Sequence, residues 1–131
     1  MGMYTELVIS TNIVNNPEVI SVLKLMIGEN VDENVKLPLH PLFETSRWHF
    51  MLRSGSYYFT PNPSSLLKYN KISNNWSFVN RSDFKNYNNE IKLFLDWIDP
   101  FIDGEDGEMI GYSRYEEDDE PTIHYKGKLD L

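Results

Sequence analysis

Hydrophobic and polar positions alternate over residues 4–13, with Leu7, Ile9, Thr11 and Ile13 on one side and Glu6, Ser10 and Asn12 largely on the other. Period two over that length predicts a half-buried strand. The period then changes. Val19, Val22, Leu23, Met26 and Ile27 recur at helical spacing, which predicts a helix with one apolar face. Asn16-Pro17-Glu18 supplies an N-cap, a first helical residue and a carboxylate in the first turn, and Gly28 is placed to end the helix. Residues 29–46 form a polar connection in which Pro38 and Pro41 exclude a long helix.

From Arg47 to Arg53 the chain alternates Trp48, Phe50 and Leu52 against Arg47, His49, Met51 and Arg53. That pattern predicts a second strand. Gly55 marks a turn, residues 56–60 (SYYFT) read as a further strand, and Pro61-Asn62-Pro63 turns the chain again. Residues 66–69 and 76–79 flank Ser73-Asn74-Asn75 as a hairpin. A second helix is expected from Asn88 or Asn89, its stripe formed by Ile91, Phe94, Leu95 and Ile98 with Trp97 beside it. Asp99-Pro100 ends or kinks that helix. Residues 109–115 and 122–126 then form a closing hairpin around an acidic tip and Pro121. The predicted order is β-α-β-β-β-β-α-β-β in one domain spanning 1–131. The expected class is α+β: an antiparallel sheet with two helices packed on one face, more specifically a ferredoxin-like core with an inserted β-hairpin.

Charge sharpens this picture at one end. Residues 1–80 hold six Lys/Arg and six Asp/Glu, whereas residues 81–131 hold six and fourteen, which accounts for the whole net charge of −8. The excess lies in two runs, Asp103-Gly104-Glu105-Asp106-Gly107-Glu108 and Glu116-Glu117-Asp118-Asp119-Glu120. They flank the aromatic segment Tyr112-Ser113-Arg114-Tyr115. A field of that sign repels nucleic acid and favours basic surfaces. The chain has no cysteine, so disulfides and thiolate metal sites are excluded. No segment reads as a secretion signal or as a membrane span of ~20 apolar residues. A soluble protein of the cytoplasm is expected.

Catalytic patterns are sparse, and no enzyme activity, cofactor or metal is expected. His40, His49 and His124 stand apart from one another, without the i,i+2 or i,i+4 pairing of zinc sites. A calcium loop counted from Asp99 puts Phe101 and Ile110 at its third and twelfth positions, where oxygen ligands are required. There is no P-loop and no Gly-x-Ser-x-Gly elbow.

Binding chemistry is better represented. The four arginines, Arg47, Arg53, Arg81 and Arg114, fall in or beside aromatic segments. Guanidinium forks match phosphate and carboxylate geometry, and aromatic faces stack on bases. Arg47, Arg53, Tyr57, Tyr58, Arg114 and Tyr115 are therefore a candidate set for a small nucleotide ligand. The alternative is that the aromatics are core and the arginines pair with local acids. Glu116, Glu117, Asp118, Asp119 and Glu120 are candidates for docking on a basic protein surface, or for a solvated turn that maintains solubility.

The strings Met3-Tyr4-Thr5-Glu6-Leu7, Leu37-Pro38-Leu39-His40-Pro41-Leu42-Phe43, Ser46-Arg47-Trp48 and Ser56-Tyr57-Tyr58-Phe59 resemble a family of small proteins encoded by tailed bacteriophages and prophages. Phe94-Leu95-Asp96-Trp97-Ile98 and Gly111-Tyr112-Ser113-Arg114-Tyr115-Glu116-Glu117, followed by Pro121, resemble the C-terminal half of the same family. The resemblance implies a phage source. It carries no catalytic residue. With it goes the expectation of an accessory protein in the host cytoplasm that counters host defence by binding, its partner a host defence protein or a small nucleotide. The alternatives are a small structural or regulatory protein acting as a homo-oligomer through an exposed sheet edge, or a metal-assisted phosphodiesterase using the acidic cluster.

Overall fold

The alternating segment at the start of the chain becomes the middle strand of the sheet. The computed structural model describes residues 4–29, 35–55, 63–86 and 89–127. In order these form β1 (Thr5–Val14), α1 (Pro17–Met26), β2 (Ser64–Asn70), β3 (Asn75–Phe84), α2 (Glu90–Ile98), β4 (Met109–Tyr115) and β5 (Thr122–Tyr125). The strands lie in the order β2-β3-β1-β4-β5, and every neighbouring pair is antiparallel. β1 pairs with β3 along its whole length, from Thr5↔Phe84 to Val14↔Asn75. It pairs with β4 over its first half, from Thr5↔Tyr115 to Ile9↔Gly111. The protein is α+β with an antiparallel sheet, as expected; among the described residues that sheet has five strands, where the expected order had seven.

Period two sends Leu7, Ile9 and Ile13 of β1 to one face, where Phe78 and Phe84 of β3 join them. Val19, Leu23 and Met26 of α1 and Ile91, Phe94 and Trp97 of α2 belong to the same buried cluster. The other face carries charge and scattered apolar residues, among them Arg81, Leu66 and Val79. On that face Glu6 is only 6% exposed, and Arg81 Nη2 lies 3.4 Å from its carboxylate.

The first helix follows its punctuation closely. Asn16 Oδ1 accepts from the backbone N–H of Glu18 at 3.1 Å and of Val19 at 3.4 Å. At the other end Glu29 N–H donates to Lys24 O and Gly28 N–H to Leu25 O, the paired bonds of a Schellman motif. Gly28 holds φ +86, which the motif requires and a side chain resists. The second helix is capped differently. Asn89 is left-handed and makes no side-chain cap, and Asn86 Oδ1 accepts from Ile91 N–H instead.

Two expectations change. Residues 47–53 do not form a strand: Trp48–Arg53 is a 3-10 helix, preceded by another at Pro41–Glu44. Met51, expected on the polar side, is fully buried beside Leu52. Two consecutive buried residues cannot share one face of a strand, whereas Trp48 and Met51 are one 3-10 turn apart. The segment packs against β3 and α1. The strand expected after it, residues 56–60, lies outside the described residues.

The other change is in β3, which runs five residues past the expected Val79, to Phe84. Its extension buries Asn80, Ser82 and Asp83. Asn80 and Ser82 can be buried there because their side chains are hydrogen-bonded: Asn80 Nδ2 donates to Leu52 O at 2.6 Å and Ser82 Oγ donates to Asn80 Oδ1 at 3.0 Å, while the backbone N–H of Asp83 donates to Ser54 O.

Candidate functional site: the acidic edge hairpin and its cleft

β4 and β5 form a folded hairpin at the edge of the sheet, and the acidic runs stand at its two ends. The 103–108 run is tied down at both of its flanks. Asp103 N–H donates to Asn12 O and Asp103 Oδ2 accepts from Asn75 Nδ2 at 2.8 Å. Gly107 N–H donates to Lys126 O, Lys126 N–H to Glu108 O, and the Lys126 ammonium lies 3.5 Å from Asp106 Oδ1. Glu105, Asp106 and Glu108 remain exposed.

The 116–120 run divides into two kinds of residue. Glu116 is half-buried and its Oε1 accepts from Tyr4 N–H at 2.8 Å, while Glu116 N–H donates to Tyr4 O. It clips the start of β1 to the end of β4. Glu117, Asp118, Asp119 and Glu120 are exposed. Asp118 contributes its backbone carbonyl to Arg114 Nε at 3.0 Å, which leaves its carboxylate to solvent.

The sequence-derived ligand set does not converge. Arg114 and Tyr115 are adjacent on β4 and so point to opposite faces of the sheet. Arg114 lies opposite Glu6 on the open face. Arg47 Nη1 donates to Lys85 O at 3.3 Å. Arg53 lies against Gly28 at the end of α1. Tyr57 and Tyr58 lie outside the described residues.

A cleft of about 660 Å³ lies between α2 and the β4–β5 hairpin. Its wall from α2 includes Lys92, Leu95 and Asp96, with Asp99 just beyond; its hairpin wall includes Ser113 and His124. Leu95, expected in the buried stripe, is half-buried here. Asp99 Oδ1 accepts from Gly127 N–H at 2.7 Å and holds the end of the hairpin to α2. Ser113 Oγ and His124 Nε2 form a 2.7 Å hydrogen bond.

That pair follows from the register. His124 is opposite Gly111, and Ser113 is opposite Thr122. With no side chain at Gly111, the imidazole leans along the diagonal to Ser113. Gly111 is required for a second reason: a Cβ there would sit 3.0 Å from Ile9 Cα and inside contact with Val8 O. Burial pushes the His124 pKa down, so the ring is neutral near pH 7.

Reading the histidines one at a time overlooked this pair. The expected hairpin at 109–115 and 122–126 already held the signal, since aligning its two strands brings His124 within one position of Ser113. The other two histidines have local roles. His40 Nδ1 accepts from Leu42 N–H, and His49 packs edge-on to Trp48 and Phe50.

Comparison with protein-family models, with curated proteins and with solved structures gave no match. Among the described residues no group of three or more His, Asp or Glu is placed to hold a metal ion, and no helix is long and apolar enough to cross a membrane.

Proposed function

We propose that this is a phage accessory protein that counters host defence by binding, docking its β4–β5 edge hairpin on a basic surface of a host protein. One observation carries the reading: the two acidic runs stand at opposite ends of one folded hairpin, tied there by hydrogen bonds. Seven strand residues at roughly 3.3 Å each separate the runs by about 23 Å. Fixed spacing gives charge complementarity a geometry, which an unstructured acidic tail lacks. The phage source rests on the resemblance of the strings at 37–43 and 111–117, and with it comes action in the host cytoplasm. A nucleotide ligand has less support, because Arg47, Arg53 and Arg114 lie at separate places, Arg47 and Arg114 each bonded to a backbone carbonyl.

The fold assignment belongs to this proposal. The crossovers β1-α1-β2 and β3-α2-β4 each skip one strand, and the order β2-β3-β1-β4 supports a ferredoxin-like split β-α-β core, with both helices over one face. β5 is then an addition at the edge, and it creates the hairpin that docks.

The test uses host lysate captured on the wild-type protein and on E117Q/D118N/D119N/E120Q, followed by titration of each purified partner. A partner whose affinity falls at least tenfold between 50 and 300 mM salt, and that the variant does not bind, supports docking through the acidic run. Equal binding by the two proteins removes it.

A further inference from the structure

The cleft beside the hairpin carries chemistry that the docking proposal leaves unused. Ser113 Oγ and His124 Nε2 are within hydrogen-bond reach of one another, both side chains are half-buried, and both lie on the wall of a cleft of about 660 Å³. A volume of that order holds a small organic molecule. A hydroxyl bonded to an imidazole nitrogen, reachable from such a cleft, is the arrangement of a nucleophile with its base. We propose that Ser113 and His124 form an acyl-transfer site for a small carboxylic ester.

In that reaction Ser113 Oγ attacks the carbonyl carbon and its proton passes to His124 Nε2. The tetrahedral intermediate collapses with loss of the alcohol, which takes the proton back from the imidazolium. Water, activated by the same nitrogen, then releases the carboxylic acid and regenerates Ser113. Lys92, Asn89, Asn86 and Thr5 line the cleft and supply donors for the oxyanion. Leu95, Pro100 and Ile110 provide apolar wall for a short acyl chain. The neutral state of His124 suits it to accept the proton, since burial lowers its pKa. Among the described residues no carboxylate bonds the far nitrogen of the ring. The activity expected is therefore that of a dyad, best detected by a reactive probe.

The experiment treats the full-length protein with an alkyl fluorophosphonate and maps the adduct by mass spectrometry. A phosphonyl group on Ser113, with labelling slowed at least tenfold in H124Q, supports the site. In parallel, p-nitrophenyl butyrate should be hydrolysed at least tenfold faster by the wild type than by S113A. Absence of an adduct at Ser113 in the wild-type protein overturns the proposal, and this result does not depend on any variant folding. Labelling of H124Q at the wild-type rate also overturns it, leaving the pair as a cross-strand bond. Neither outcome bears on docking, which is read at residues 117–120.

Discussion

The side-chain amide of Asn80 donates to the backbone carbonyl of Leu52 across 2.6 Å, at a position without solvent access. The same Nδ2 donates to Ser65 Oγ at 2.7 Å, and Asn80 Oδ1 accepts from Ser82 Oγ. One residue thus joins β3 to β2 and to the end of the Trp48–Arg53 3-10 helix. Asn80→Ala removes these bonds at once, takes the acceptor from the buried Ser82 hydroxyl and leaves Leu52 O with only the 3.4 Å bond from Ser65 Oγ. A loss of about 2–4 kcal/mol is expected, since each buried polar group left unpaired costs roughly 1–3. Urea denaturation should show it as a lower midpoint with an unchanged slope.

Gly111 is the point of closest approach between β4 and β1. Gly111→Ala places a methyl group against Val8 O and Ile9 Cα, both backbone atoms of the central strand, which cannot move aside cheaply. A destabilisation of about 1–3 kcal/mol is expected from overpacking. Any shift of β4 that makes room for the methyl moves Ser113 relative to His124, so the His124 side-chain resonances should shift in the NMR spectrum as the bond between them is disturbed.

Within the second acidic run, Glu116 should behave differently from its four neighbours. Glu116→Ala removes the acceptor for Tyr4 N–H and should cost about 1 kcal/mol, a typical net hydrogen-bond contribution. Neutralising residues 117–120 to their amides should change stability by no more than about 0.5 kcal/mol, as expected of exposed side chains away from packed features. Thermal unfolding of the two variants beside the wild type checks this. Equal losses in both would mean that the exposed carboxylates also hold the hairpin.

Acid should weaken the fold through His124. Its pKa is lowered by burial in the folded protein, from an ordinary value of about 6.5. The unfolded chain therefore binds the proton more readily, and stability rises with pH across the interval between the two values. The contribution is complete above about pH 6.5 and is lost as pH falls from there through the lower folded pKa. Lys92, Asp96 and Asp99 line the same cleft. Urea midpoints measured from pH 7.5 to 5 should decline in the wild type and decline less in H124Q. Parallel curves would show that His124 is not the group responsible.

Much of the architecture was legible in the chain because it is encoded by neighbours. The Asn16 cap and the Gly28 terminus act within a turn of the helix they bound, and the apolar residues of α1 and α2 repeat at the period of the helix itself. The β2–β3 and β4–β5 hairpins likewise join strands only a few residues apart, so their turns could be read locally. The 48–53 segment was different. Its apolar residues fit period two as well as a 3-10 turn, and the choice was made by the place open to it between α1 and β3.

The candidate site divides in the same way. That the acids belong to a folded hairpin followed from sequence, because both runs flank an alternating segment and are punctuated by glycine or proline. Which of them are free to meet a partner did not follow. Glu116 is committed by Tyr4, far away in the chain, and Asp103 by Asn75. The arginine and tyrosine set failed to gather because strand alternation separates Arg114 from Tyr115, and because Arg47 and Arg53 bound a 3-10 helix, Arg47 just before it and Arg53 at its end, in place of the expected strand.

By itself the sequence determined the α+β class, the boundaries of both helices, the two hairpins and the acidic end, all of which rest on periodicity and turn chemistry within short stretches. Tertiary structure alone decided the reach of β3, the 3-10 helix and the Ser113–His124 pair. Each of these depends on what stands opposite: a carbonyl at Leu52 that lets Asn80 be buried, a gap between α1 and β3, and a glycine whose missing side chain lets an imidazole cross to a hydroxyl. Such partners are set by register and packing across the sheet, which a local pattern of residues does not specify.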